Sequence, residues 1–256
     1  MTTLFSALTI AGSDPSGGAG IQADLKTFHR HGVYGQSVVS LVTAQNTTGV
    51  TAVHLLPVEL VLAQLEAVLS DIAPAAIKTG ALGAPELIAA VAGRLASVTV
   101  PVVVDPVLIS KHGHPLASPE AVPALQPLLR LATVITPNWH ELAALSGATV
   151  SDGAAAAAAA RLLLRQGVRA VLVKGAGDTA DDLLVTADSE QVLPGLRIQT
   201  RSLHGTGCTY AAALTAQLAL GMPLGEAAVR AKSFIAQAIL TAPGLGHGFG
   251  PVNHWA

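Results

Sequence analysis

The chain has 256 residues, is 51% hydrophobic with a mean hydropathy of +0.54, and carries a formal net charge of −2, which is enough apolar material for one sizeable core. Its 14 Lys and Arg residues are scattered, so no basic stripe points to nucleic acid or an anionic membrane, and a small soluble substrate is the expected partner. The single cysteine, Cys208, excludes an internal disulfide and favours a reducing, cytoplasmic setting; no signal peptide is expected from the three residues ahead of the first apolar run, and every apolar stretch is broken well short of the roughly 18 residues that span a bilayer.

In chain order, residues 4–11 predict a first strand that runs into Gly12-Ser13-Asp14-Pro15-Ser16-Gly17-Gly18-Ala19-Gly20 and then a helix over 21–31. Such a glycine-rich turn lets backbone amides approach a polar ligand, although a tight turn without a ligand has the same composition. Further strands are predicted at 37–44, 75–79, 100–105, 132–136 and 170–174, alternating with helices at 58–70, 85–96, 119–131, 138–145 and 151–166. The last of these helices holds an unbroken alanine run from 154 to 160, and Gly167 stops it. A strand pair at 182–186 and 191–200 precedes two long helices, 206–220 and 223–241. This alternation predicts β-α-β units around a mostly parallel sheet, and strands apolar at consecutive positions predict helices on both faces. No linker, repeat or heptad divides residues 1–256, so a single domain is expected.

Ligands of open α/β sheets bind beyond the carboxyl ends of the strands, which makes the polar residues just after each strand the ones to weigh. Neither Gly-x-x-x-x-Gly-Lys-Ser/Thr nor Gly-x-Gly-x-x-Gly is present, so phosphate must be held in another way. His204-Gly205-Thr206-Gly207-Cys208-Thr209 opens a long helix and is the candidate anion site. Cys208 falls in its first turn, where the positive helix end is expected to lower the thiol pKa and let it take a proton; a buried apolar cysteine is the alternative. Lys78, Lys111 and Lys174, three of the five lysines, lie at or shortly after strand ends and suggest an anionic substrate. Asp105 and Glu141 could hold Mg²⁺ or serve as helix caps. Gln45 and Asn46 could read the edge of a heterocycle or cap a turn. The nine histidines form no metal pattern and are read as mostly surface residues.

Taken together, the block 7–24, Ala44-Gln45-Asn46-Thr47, Ile77-Lys78-Thr79-Gly80, Asp105-Pro106-Val107, Thr136-Pro137-Asn138, Lys174-Gly175, the block 204–209 and the tail 246–252 resemble the hydroxymethylpyrimidine and phosphomethylpyrimidine kinases of the ribokinase superfamily. Most ribokinase relatives place Asp where this chain has Cys208, and the pyrimidine kinases place Cys. The resemblance implies a ribokinase-like three-layer α/β/α sandwich with a mostly parallel central sheet, and a homodimer. It implies ATP-dependent phosphorylation of 4-amino-5-hydroxymethyl-2-methylpyrimidine, and of its monophosphate to the diphosphate, with Mg²⁺ accompanying ATP, in thiamine biosynthesis. Position by position, Gln45 would contact the pyrimidine with Gly12, Asp24 and Val107 near it. Gly205, Thr206 and Gly207 would form the anion hole, Cys208 would be the base, Lys174 and Thr206 would lie near the nucleotide, Asp105 and Glu141 would organise Mg²⁺, and the loop holding Lys111 would close over the site. Two departures stand out. Ala81 replaces a Met common in the family, and Ser110-Lys111-His112-Gly113-His114 varies the usual loop. A roomier pocket would admit pyridoxal-like rings, so a pyridoxal kinase is the alternative. A non-catalytic pyrimidine sensor would show a degraded anion hole or missing carboxylates, and this chain retains both.

Overall fold

A computed structural model describes residues 4–108, 120–175 and 180–256. Its elements are β1 (Ser6–Ser13), α1 (Gly20–Arg30), β2 (Tyr34–Asn46), β3 (Gly49–Leu55), α2 (Val58–Leu69), β4 (Ala76–Thr79), α3 (Pro85–Leu95), β5 (Val102–Val104), α4 (Ala121–Ala124) and α5 (Gln126–Leu131). Then come β6 (Val134–Ile135), α6 (Trp139–Ser146), α7 (Gly153–Arg165), β7 (Ala170–Val173), β8 (Asp182–Thr186), β9 (Glu190–Leu193), α8 (Thr206–Ala219) and α9 (Leu224–Leu240). The strands form one sheet in the order β3-β2-β1-β4-β5-β6-β7-β8-β9. Pairing is parallel from β2 through β7 and antiparallel at both edges.

Both faces of the sheet are apolar, and successive strand residues point to opposite layers. Leu8, Ile10, Ile77, Val102, Val104 and Ile135 pack on one side against α2, α3, α5, α6 and α7 through residues such as Leu65, Val91, Leu128, Leu142 and Leu163. Ala7, Ala76, Val103, Val134 and Leu172 face the other way, onto Phe28 of α1 and the alanine-rich α8 and α9. The result is the expected α/β/α sandwich. Helix α8 is buried continuously from Thr209 to Ala219, so it is enclosed all round, and alanine on both sides of the contact lets it lie close to the sheet. A larger side chain at Ala212 or Ala216 would overpack this layer at a cost of roughly 1–3 kcal/mol.

Three features position the site. Strand β1 has β2 on one side and β4 on the other, so connections leave it in opposite directions and open a crevice at its carboxyl end. Helix α8 begins there at Gly205, whose positive φ of 77° suits glycine, and a Cβ would collide with the Gly18 carbonyl oxygen. Asn138 caps α6 by accepting the Glu141 amide at 2.9 Å, while Glu141 accepts the Asn138 amide at 2.8 Å, which forms a capping box.

Several predicted boundaries are corrected. The strand expected at 37–44 extends to Tyr34–Asn46 and turns into β3, which was not predicted, because its residues lie half-exposed on the sheet edge and give a weak apolar signal. The strand expected at 191–200 stops at Leu193, just before Pro194-Gly195. The helix expected at 119–131 appears as the two short pieces α4 and α5, since Pro123 and Pro127 lack the amides a continuous helix would use. Among the described residues no helix is long and apolar enough to cross a membrane, and no group of three His, Cys, Asp or Glu could hold a metal ion by itself.

Candidate active site

The anionic end of the cleft is built from β5, β6, β7 and the start of α8. Asp105 follows β5 and is 1% exposed; its Oδ1 accepts from Lys174 Nζ at 2.7 Å and from Thr136 Oγ1 at 3.0 Å. Burial opposes the charge on Asp105, but the ammonium groups of Lys174 and Lys78 and the two hydrogen bonds hold its carboxyl below the usual range. Lys174 is fixed by its own amide, which donates to the Pro137 carbonyl at 2.9 Å. Burial disfavours its charge, and Asp105 and Glu141 restore it, so its pKa is raised.

The other oxygen of Asp105, Oδ2, is buried and has no protein partner, and Thr79 Oγ1 one strand away is likewise unpartnered. Buried polar atoms are seldom left so, and here two line one strand-end floor. A Cβ on Gly207 would lie 3.3 Å from Lys174 Nζ and 3.8 Å from Asp105 Oδ2, so the absence of a side chain at the helix start keeps a cradle open between an ammonium and a free carboxylate oxygen. No side chain caps α8, which leaves the Gly207 and Cys208 amides at its positive end; the Thr206 amide is already committed to the Leu203 carbonyl at 3.3 Å. Glu141 completes this end. Burial, together with the charge of Asp105, pushes its carboxyl up to about 7 against the pull of Lys174 and of the Asn138 and Leu108 amides. A hard divalent cation that keeps several waters and takes one or two carboxylates fits this donor set.

Behind the cradle lies a second acid–base pair. Asp24 of α1 and Lys78 of β4 meet at 2.8 Å with neither side chain exposed, and Thr9 Oγ1 donates to the same Asp24 oxygen at 2.6 Å. Burial works against Lys78's charge, yet Asp24 beside it, helped by Asp105, keeps it protonated above the usual lysine range. The expectation that Lys78 meets an anionic substrate is therefore corrected: its ammonium faces an internal partner. Asp24, expected next to a ring, presents no surface.

Cys208 is half-buried in the first turn of α8. Burial pushes its thiol up to about 11; Lys78 and a hydrogen bond from the Gly20 amide pull the other way, and the negative charges of Asp24 and Asp105 add to the rise. Desolvation and two carboxylates thus work against the lowering expected from the helix start, and the thiol is the main form at pH 7.

The opposite end of the cleft is formed by the β1–α1 turn, the β2–β3 hairpin and His204. Gly12 is buried, and a Cβ there would press to within 2.6 Å of Leu41 Cδ1. Gln45, near the tip of β2, has its Nε2 3.3 Å from His204 Nε2. His204, 2% exposed, reaches Asp14 at 2.7 Å, and Asp14 also accepts from the amides of Ser16, Gly18 and Ala19 at 2.8–3.2 Å. Val107 follows Asp105 and lines a small apolar cavity with Thr79, Gly80, Leu82 and Leu108. The structure therefore draws Gly12, Gln45, Asp105, Glu141, Lys174 and the 205–208 turn to one end of the sheet. Lys111, with the rest of its loop, lies outside the described residues. Asp14 and His204 were missed: the histidines were read as surface residues, although one placed directly before Gly205 at a helix start was a usable signal.

Known proteins agree with this geometry. The phosphomethylpyrimidine kinase family profile matches residues 14–253. A hydroxymethylpyrimidine/phosphomethylpyrimidine kinase of Haemophilus influenzae is 47% identical over all of this chain and 98% of its own. Among solved structures, phosphomethylpyrimidine kinase from Clostridium difficile is 41% identical, with a TM-score of 0.82 over 92% of this chain and 99% of that one. Pyridoxal kinase from Staphylococcus aureus in complex with pyridoxal is 38% identical, with a TM-score of 0.90 over 99% of this chain and 94% of that one. The sandwich is thus the ribokinase-like fold, and the chain belongs to the hydroxymethylpyrimidine/phosphomethylpyrimidine kinase family.

Proposed function

We propose that the protein transfers the γ-phosphoryl group of ATP to the hydroxymethyl oxygen of 4-amino-5-hydroxymethyl-2-methylpyrimidine, and then a second phosphoryl group to the resulting monophosphate, in thiamine biosynthesis. The observation that carries this reading is the open cradle at Gly207, where the ammonium of Lys174 and the unpartnered Oδ2 of Asp105 face the uncapped start of α8. Phosphoryl transfer needs little covalent help from a protein and much positioning and charge neutralisation. Asp105 and Glu141 would hold Mg²⁺, which when bound neutralises charge on the phosphates. Lys174 and the 205–207 turn hold the phosphoryl oxygens, and Gln45, Gly12 and Val107 border the ring. Asp24 sits behind the pocket as the counter-ion of Lys78.

Cys208 stands where the hydroxyl proton must go. It can accept that proton only as the thiolate, the minor form while burial holds its pKa at about 11, so the O–H bond breaks as the S–H bond forms and the oxygen attacks phosphorus. A pyridoxal ring is the second reading, favoured by the small Ala81 side chain and by the similarity to pyridoxal kinase. ADP release with Mg-ATP and hydroxymethylpyrimidine, its monophosphate, pyridoxal or ribose separates the two. Highest kcat/KM on the two pyrimidines is expected. Higher kcat/KM on pyridoxal would overturn the substrate assignment while leaving the chemistry, and no turnover on any acceptor would overturn both.

A further inference from the structure

Gln45, Asp14 and His204 come from three distant parts of the chain, and their hydrogens can be assigned from their neighbours. Burial favours a neutral Asp14, but the hydrogen bonds and charge of His204 and the bonds from Ser16 hold its carboxyl below the usual range, so it is an anion. At 2.7 Å from that anion, His204 Nε2 carries the shared hydrogen whether the ring is neutral or charged. A nitrogen that bears hydrogen cannot accept from the Gln45 –NH₂ group 3.3 Å away. On the other side, Gln45 Oε1 lies 3.4 Å from Thr43 Oγ1, whose own proton points at the Ser13 carbonyl oxygen at 3.0 Å. Both contacts are repaired by one change. With the amide turned over, its oxygen faces His204 Nε2–H as the longer, 3.3 Å branch of a hydrogen bond shared with Asp14, and its –NH₂ donates to Thr43 Oγ1.

We propose that Asp14 and His204 are positioning residues that lock the Gln45 amide in this turned orientation and so fix the hydrogen-bonding pattern shown to the acceptor ring. One N–H and one oxygen lone pair of Gln45 remain, side by side, for a ligand. A 4-aminopyrimidine offers the complement, a ring nitrogen that accepts beside an amino group that donates; in this the inference rests on the pyrimidine reading above. A pyridoxal ring carries a hydroxyl but no ring nitrogen next to it. The device is tied down at both ends. The His204 amide donates to the Gly250 carbonyl at 2.9 Å, and the same tail grips the turn beyond Gln45 through the Phe249 amide, which donates to the Thr47 carbonyl at 2.7 Å.

Steady-state kinetics of His204→Leu, His204→Gln, Gln45→Leu and the Gln45→Leu/His204→Leu double variant test this, with the pyrimidine and pyridoxal as acceptors. Loss of one buried hydrogen-bond donor should raise KM for the pyrimidine about 10-fold in His204→Leu. Values of kcat and of KM for ATP should stay within about twofold, as should KM for pyridoxal. His204→Gln, which can place an N–H near the same point, should restore most of the affinity, and the double variant should be no worse than Gln45→Leu alone. If His204→Leu fails to fold, Asp14→Asn, which removes the anion that fixes the hydrogen, should give the same rise in KM. Additive effects of the two substitutions, or equal losses on both rings, would overturn the inference with the functional reading intact. Wild-type protein inactive on the pyrimidine would overturn the functional reading first and this inference with it.

Discussion

Two of the lysine–aspartate pairs near the strand ends of this sheet are almost equal in length and opposite in use. Asp24 and Lys78 meet at 2.8 Å with no exposed surface, and Asp105 and Lys174 meet at 2.7 Å with the lysine 15% exposed. The first pair lies behind the cleft floor. Each aspartate keeps one oxygen without a protein partner, but only in the second pair do the lysine and that oxygen border the open space at Gly207. The contact that forms an ion pair therefore does not say what the pair is for; what the remaining lone pairs and N–H groups face does. A sealed pair chiefly shapes the field around its neighbours, whereas an open one can meet a ligand.

Substitutions should separate the two. Lys78→Met should have the largest effect, a loss of about 3–5 kcal/mol in unfolding free energy, because it strands a buried carboxylate. Burial already pushes the Asp24 carboxyl upward, and without Lys78 it would rise further. The folded variant then binds a proton that the unfolded chain releases, so its deficit against wild type should shrink as pH falls from 8 to 5 in urea melts.

Cys208→Ala should come next, with an effect that depends on the acceptor. For the hydroxymethyl group, loss of a proton acceptor should lower kcat about 10²-fold, the low end for general bases. The monophosphate attacks through an oxygen that is already ionised, so its kcat should change by no more than about threefold. Equal losses on the two acceptors would remove Cys208 from proton transfer. The smallest effect expected is a pH dependence. With its carboxyl near pH 7, Glu141 holds a proton below that value and must release it to bind a cation. Mg-ATP affinity in wild type should weaken by up to about tenfold per pH unit below 7 relative to Glu141→Gln, which carries the titration of ATP itself. Parallel profiles for the two proteins would dissociate Glu141 from the metal.

The layers and strand ends were legible in the sequence because they follow from local periodicity and from glycine at turns. The helix start at Gly205, and Asp105, Glu141 and Lys174 after their strands, were read for the same reason. What was hidden depends on partners far along the chain. Lys78 looked like a ligand contact because its aspartate lies 54 residues away on α1. Asp14 and His204 are 190 residues apart, and nothing near either one predicts the other. The thiol of Cys208 was assigned from its helix position alone, whereas burial and two carboxylates set its state. Strand β3 escaped because the hairpin that carries Gln45 projects past the core and its side chains are mostly half-exposed or exposed.

The open pair can be tested most directly through kcat of Asp105→Asn at saturating Mg-ATP and hydroxymethylpyrimidine. Removing the one carboxylate oxygen that faces the cradle should lower kcat by about 10³-fold, in the range for losing a group that stabilises transition-state charge. A kcat within about threefold of wild type would contradict the assignment of this cradle to phosphoryl transfer.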